Sequence, residues 1–191
     1  MLLHSGVHPE RILDFGSGTG NSIPFFRHYF PIAKLTCADI SKRSLDVAEA
    51  RFSGVADSLQ VEAGIIPVGS DTFDVTFSAC VFHHIPHEEH TRWLRELRRV
   101  TQPGGMLAVF EHNPINILTV RAVNACAFDA NARLIRAREL MRRCLQAGWV
   151  QPRVRYHLFF PRVLSSMRPL EHYLSSFPFG AQYSVVAMKP D

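Results

Sequence analysis

Apolar and polar positions along this chain follow two periods in turn. Short apolar or alternating runs at 12–15, 34–38, 59–63, 73–79 and 106–110 read as strands, each bounded by turn residues. Between them the spacing changes to three and four. Residues 22–30 form one such helix, with Pro24 tolerated in its first turn and Pro31 at its end. Ser41 caps a second, whose Leu45, Ala48 and Phe52 share a face and whose end is marked by Gly54. A third follows the turn at Pro86, with Glu88 and Glu89 in its first turn and a buried stripe of Trp93, Leu94, Leu97 and Val100. Pro103-Gly-Gly105 turns the chain into the fifth strand. A helix over 139–147, stopped by Gly148, and strands at 154–160 and 183–188 complete the pattern. Residues 114–136 are less regular and read as an insertion. Residues 162–177 place Leu164, Met167, Leu170, Leu174 and Phe177 at helical spacing.

Strands separated by helices require a mostly parallel sheet covered on both faces, and such sheets bind ligands beyond the carboxyl ends of their strands. The stretch 11–20 lies at one of those ends. Ile12, Leu13 and Phe15 supply a strand; Gly16, Gly18 and Gly20 then allow positive φ and leave no side chain between backbone and ligand. Asp39 follows at the end of the second apolar run, where a carboxylate can accept hydrogen bonds from both hydroxyls of a ribose. Loop and carboxylate together point to an adenosine-containing ligand.

Composition narrows the class. With 191 residues, 47% of them hydrophobic, the chain can bury one substantial core, so residues 1–191 are read as a single domain. The net charge of +4 is carried largely by arginines between Arg92 and Arg168, read as solvated helix faces; no nucleic-acid partner is expected. Cys37, Cys80, Cys126 and Cys144 are scattered without a Cys-x-x-Cys pair, the usage of reduced thiols, and a cytoplasmic location is expected. No apolar run approaches the ~20 residues of a spanning helix. An oligomer is compatible with this sequence, and the aromatic and arginine-rich stretch 159–179 raises the option of contact with a membrane surface.

Five segments, in this order and spacing, resemble the class I S-adenosylmethionine (SAM)-dependent methyltransferases: Leu13-Asp-Phe-Gly-Ser-Gly-Thr-Gly20, Asp39-Ile-Ser41, Phe73-Asp-Val75, His83-His-Ile-Pro86 and Arg98-Arg-Val-Thr-Gln-Pro-Gly-Gly105. The likeness covers residues 11–148. It implies an α/β, Rossmann-like doubly wound sheet of seven strands, mostly parallel with the last antiparallel, helices on both faces, and SAM as cofactor. Carried over by position, Gly16, Ser17 and Gly18 face the methionine part of SAM, and Asp14 helps to hold its amino group. Asp39 takes the ribose, Ile40 and Ala63 sandwich the adenine, and Glu62 stands where the family usually has an Asp on the adenine amine. The backbone at Ser78 reaches the methionine ammonium. The family often has helices ahead of strand one that cover the cofactor; only about ten residues precede it here, so segments 114–136 and 162–179 are expected to supply the cover and part of the acceptor site.

A nicotinamide dehydrogenase is the rival for the glycine loop. The loop reads Gly-x-Gly-x-Gly instead of Gly-x-Gly-x-x-Gly, no Tyr is followed by Lys four residues on, and no second domain to hold a hydride acceptor is expected. The expected reaction is in-line transfer of the SAM methyl group to a small-molecule acceptor, with a SAM-binding but non-catalytic partner or regulatory subunit as the alternative. His84, His112 and Glu111, at strand ends beside the expected methyl group, are the candidates to orient or deprotonate the acceptor. His83, His84, His87 and His90 with Glu88 and Glu89 look metal-like but lack the closed ligand set of a structural zinc site, and no metal is assigned.

Overall fold

Ile12 and Leu13 are both fully buried, although neighbouring side chains of a strand point to opposite faces. The first strand must therefore be covered on both sides. A computed structural model, describing residues 8–62 and 64–191, shows how. Seven strands, β1 (Arg11–Phe15), β2 (Lys34–Asp39), β3 (Asp57–Gln60), β4 (Phe73–Ala79), β5 (Thr101–His112), β6 (Val150–His157) and β7 (Gln182–Met188), form one sheet in the order β3-β2-β1-β4-β5-β7-β6. β1 to β5 pair in parallel, and β7 runs antiparallel to both β5 and β6. The Rossmann-like order and the antiparallel last strand are as the resemblance implied.

One face carries Ile12, Leu35, Cys37, Val75 and Met106 under helices α1 (Ile23–Tyr29) and α2 (Lys42–Arg51), which contribute Ile23, Phe26 and Leu45. The other carries Leu13, Phe15, Leu107, Val109 and Val185 under α3 (His90–Val100) and α5 (Ala137–Gln146), which contribute Trp93, Leu94, Leu97, Leu140 and Cys144. Burial of this kind, at about 25 cal/mol per Å² of apolar surface, is what holds the layers together. The Ser41 cap is present, its hydroxyl accepting from the Ser44 amide at 3.2 Å.

Several boundaries differ from the sequence reading. β3 ends at Gln60, three residues before the expected end, and β6 begins at Val150, although Pro152 lies inside it; as an edge strand β6 can leave one side of its ladder unpaired. The strands absorb the turn at 103–105, and Glu88 and Glu89 sit ahead of α3 instead of in its first turn. The insertion contains α4 (Ile117–Ala125), capped by Asn116, and a single 3-10 turn at Ala127–Asp129. Residues 162–170 are 3-10 with a kink at Leu164, and a short α6 (Glu171–Leu174) follows; neither buries a residue, so the expected apolar helical stripe is an exposed surface.

Candidate functional site

The glycine loop leaves β1 at the carboxyl edge and is folded back onto β2. The amides of Gly16 and Ser17 donate to the Ala38 carbonyl at 2.7 and 3.1 Å, and that of Gly18 donates to Asp39 Oδ2 at 2.8 Å. Gly16 and Gly18 have φ of +72° and +53°, in the left-handed region that favours glycine. They are glycine for different reasons. A Cβ on Gly16 would run into the Val81 side chain, whereas one on Gly18 would meet nothing within 4 Å. The first closes the loop against the chain after β4, and the second keeps an open face.

Asp39 fixes the loop to α2. Its Oδ1 accepts from the Ser41 amide at 2.8 Å while Oδ2 holds Gly18. A carboxylate has about four lone-pair sites, so two remain. Behind the loop, Asp14 is buried in β1 with Oδ2 unpartnered, and Ser17 Oγ and Ser78 Oγ are likewise buried without a partner. Burial raises the Asp14 carboxyl from 3.8 to about 7; the Ser22 hydroxyl opposes the shift and the nearby Asp39 charge adds to it.

A cleft of about 500 Å³ opens in front, lined by Phe15, Gly16, Asp39, Ile40 and Ser41 on one side and by Cys80, Val81, His84, Ile85, Pro86, Glu89 and Trp93 on the other. Ile40 is 72% exposed, an apolar side chain held out at the end of β2. Glu62 is exposed beyond β3, where its carbonyl accepts from the Ile65 amide at 3.0 Å; Ala63 lies outside the described residues. Ser78 is fully buried in β4 and is not part of the cleft wall, which begins two residues on at Cys80. Cys80 has φ +58°, a strained conformation for a side-chain-bearing residue, held by the hydrogen bond its amide donates to the Phe110 carbonyl. Its thiol is pushed up to about 12 by burial, with the Glu111 and Asp129 charges adding to the effect.

Of the three candidate catalytic residues, His84 alone lines the cleft. Burial first, and the neighbouring His83 second, hold its pKa below the ordinary value, and the same two causes lower that of the half-buried His112. Glu111 is placed differently from expectation. It is fully buried, Oε1 accepts from the Val81 and Phe82 amides at 2.9 and 2.7 Å, and Oε2 accepts from His83 Nδ1 at 2.6 Å. Such a carboxylate braces the turn that carries His84 and has no face toward an acceptor.

The histidines of the expected metal-like group also separate. His90 bonds the Ile85 carbonyl, and His87 bonds the Arg133 carbonyl. What the structure gathers instead is His83, His84 and Asp129, the last brought in by the 3-10 turn after α4. The Arg133 amide donates to the His83 carbonyl at 2.7 Å, tying residues 114–136 to the cleft rim. No residue of 162–179 lines the cleft. Arg168 belongs to a separate groove of about 290 Å³ between α4 and residues 158–161. Asp129 and Cys80 left no mark in the sequence pattern, since one depends on where the insertion folds back and the other on a single backbone torsion.

Residues 13–109, just over half of the chain, match the model of a methyltransferase domain family. Demethylmenaquinone methyltransferase of Thermotoga maritima is 31% identical over 110 residues, covering 58% of this chain and 47% of that protein. A malonyl-acyl-carrier-protein O-methyltransferase of Halorhodospira halophila is 29% identical over 151 residues, covering 76% and 50%. The chain thus spans about half the length of these curated relatives. A crystal structure of a SAM-dependent methyltransferase from Thermotoga maritima, titled a possible histamine N-methyltransferase, superposes with a TM-score of 0.73 at 20% identity over 98% of this chain and 85% of that one. That likeness is one of fold. Among the described residues no helix is long and apolar enough to cross a membrane.

Proposed function

We propose that this chain, which belongs to the methyltransferase domain family of SAM-dependent enzymes, binds SAM in the cleft between the glycine loop and His84 and transfers its methyl group to a small-molecule acceptor. One observation carries the reading: an open glycine loop and a carboxylate with two lone pairs to spare meet on one cleft, with the unpartnered Asp14 and Ser17 oxygens behind it. These residues fit the cofactor. Asp39 would hold the ribose, Ile40 would cover the adenine, and Gly16 to Gly18 with Asp14 would face the methionine end. Glu62, Ala63 and Ser78 stay in this proposal as the adenine and ammonium contacts carried by the resemblance.

When bound, SAM supplies a methyl group already activated by its sulfonium. The chain's task is then mainly alignment. His84, its pKa lowered chiefly by burial, can take a proton from an acceptor hydroxyl at the cleft wall, and the His112 ring packs 5.3 Å from that of His83. Glu111 acts by positioning that wall. Residues 114–136 are the cover, because Asp129 and Arg133 reach the rim; residues 162–179 are not assigned that role.

Asp14 gives the cofactor reading a pH signature. Its carboxyl, raised to about 7 in the folded protein, contributes stability that is present at low pH and lost as pH rises from 3.8 toward 7. A cationic amino group beside it reverses the preference. SAM affinity is therefore expected to rise roughly tenfold between about pH 6 and 7.5, one pKa unit of coupling being 1.36 kcal/mol. Asp14→Asn should flatten the profile, measured by calorimetry. A profile unchanged in that variant places the ammonium elsewhere.

The reaction itself is tested by incubating the purified protein with methyl-labelled SAM and a fractionated small-molecule extract. Label is expected in one fraction, dependent on His84. Tight SAM binding with no label transferred to any fraction would return the non-catalytic alternative.

A further inference from the structure

We infer that His83 Nε2, His84 Nε2 and the Asp129 carboxylate form a site for one divalent transition-metal ion of the zinc class at the rim of the cleft. His83 is the anchor. Its Nδ1–H is committed to Glu111 Oε2 at 2.6 Å, so in the neutral ring Nε2 carries a bare lone pair. That nitrogen is buried with no hydrogen-bond partner, and what it faces is another acceptor, Asp129 Oδ1, at 3.4 Å. His84 Nε2 lies at 3.4 Å from the same oxygen. Two ring nitrogens around one carboxylate oxygen need something positive among them, either a second proton on His83 or a cation.

The spacing suits the cation. A tetrahedral zinc ion 2.0–2.1 Å from its ligands sets ligand atoms about 3.3 Å apart. Two of the three edges already have that length, and all three donor atoms lie within 4.8 Å of one another, with the half-exposed His84 free to close the last edge. Glu111 accepts from His83 Nδ1, as carboxylates behind metal-binding histidines do, and so fixes the tautomer and orientation of the ring. Two imidazoles and one carboxylate select a borderline metal over magnesium or calcium, which prefer oxygen ligands alone. Three protein ligands leave a position open. His84 belongs to both the cluster and the cleft wall, so with the ion bound its Nε2 is a ligand in place of a base, and the open position is suited to water or to an oxygen of the acceptor.

The test is cobalt titration of chelator-stripped protein without SAM, which keeps it independent of the methyl-transfer reading. One equivalent of Co²⁺ is expected to give visible absorption bands of a low-coordinate N/N/O site, abolished by Zn²⁺. His84→Ala and Asp129→Asn, at partly exposed positions, should each weaken metal binding by at least the roughly 10–100-fold that loss of an outer-shell partner brings. His28→Ala, on the exposed side of α1, should leave it unchanged. Absence of the bands, or equal affinity in the His84 and Asp129 variants, overturns the site. So does nitrogen NMR showing His83 protonated on both nitrogens at neutral pH whether or not zinc is added, which would make the cluster a plain ion pair.

Discussion

Asp39→Ala is expected to lower the affinity for SAM and for S-adenosylhomocysteine by a hundredfold or more. The carboxylate has two lone pairs left after serving Gly18 and Ser41, and two ribose hydroxyls would take them. A hydrogen bond to a charged acceptor contributes about 1.5–3 kcal/mol, so two of them amount to at least ~3 kcal/mol, and each 1.4 kcal/mol is tenfold in affinity. The substitution also frees the Gly18 amide, removing one of the three hydrogen bonds that fold the loop onto β2, which adds to the loss. Asp39→Asn keeps one acceptor oxygen and should fall between the two. Both losses belong to binding, so calorimetry is the measurement, with circular dichroism checking that the sheet is intact. Affinity within threefold of the parent would remove the ribose from Asp39 and with it the cofactor's placement in this cleft.

This part of the site was legible because it is local. Residues 12–18 and 39–41 are two short stretches whose parallel pairing the apolar runs already required, and loop and carboxylate then meet across one hydrogen bond. The elements that were misplaced lack such constraint. β3 is an edge strand with half-exposed side chains, so its ends carry little pattern. Residues 162–170 have helical spacing but bury nothing, and without a packing partner the segment with Pro169 takes 3-10 turns. Glu111 was read as a reactive carboxylate from its position at a strand end. Only the tertiary structure shows that the turn after β4 occupies both of its oxygens, Oε1 with the Val81 and Phe82 amides and Oε2 with the His83 ring.

Glu111→Ala is accordingly expected to destabilise the protein more than any surface change, by about 3–5 kcal/mol, since each buried donor left unsatisfied costs about 1–3 kcal/mol. Three donors, the Val81 and Phe82 amides and His83 Nδ1, lose their partner at once where the fully buried Glu111 side chain stood. For a chain of this length the midpoint of thermal unfolding should drop by roughly 10–15 °C. Glu111→Gln separates the two jobs of the side chain. Its amide oxygen can still accept from both backbone groups, whereas its NH₂ now faces His83 and favours the ring tautomer with the proton on Nε2. The Gln variant should therefore recover most of the stability, as measured by denaturant unfolding, yet present the wrong face of His83 to Asp129. Equal stability of parent and Ala variant would mean that the turn carrying His84 is held by its own packing, and the positioning role of Glu111 would fall.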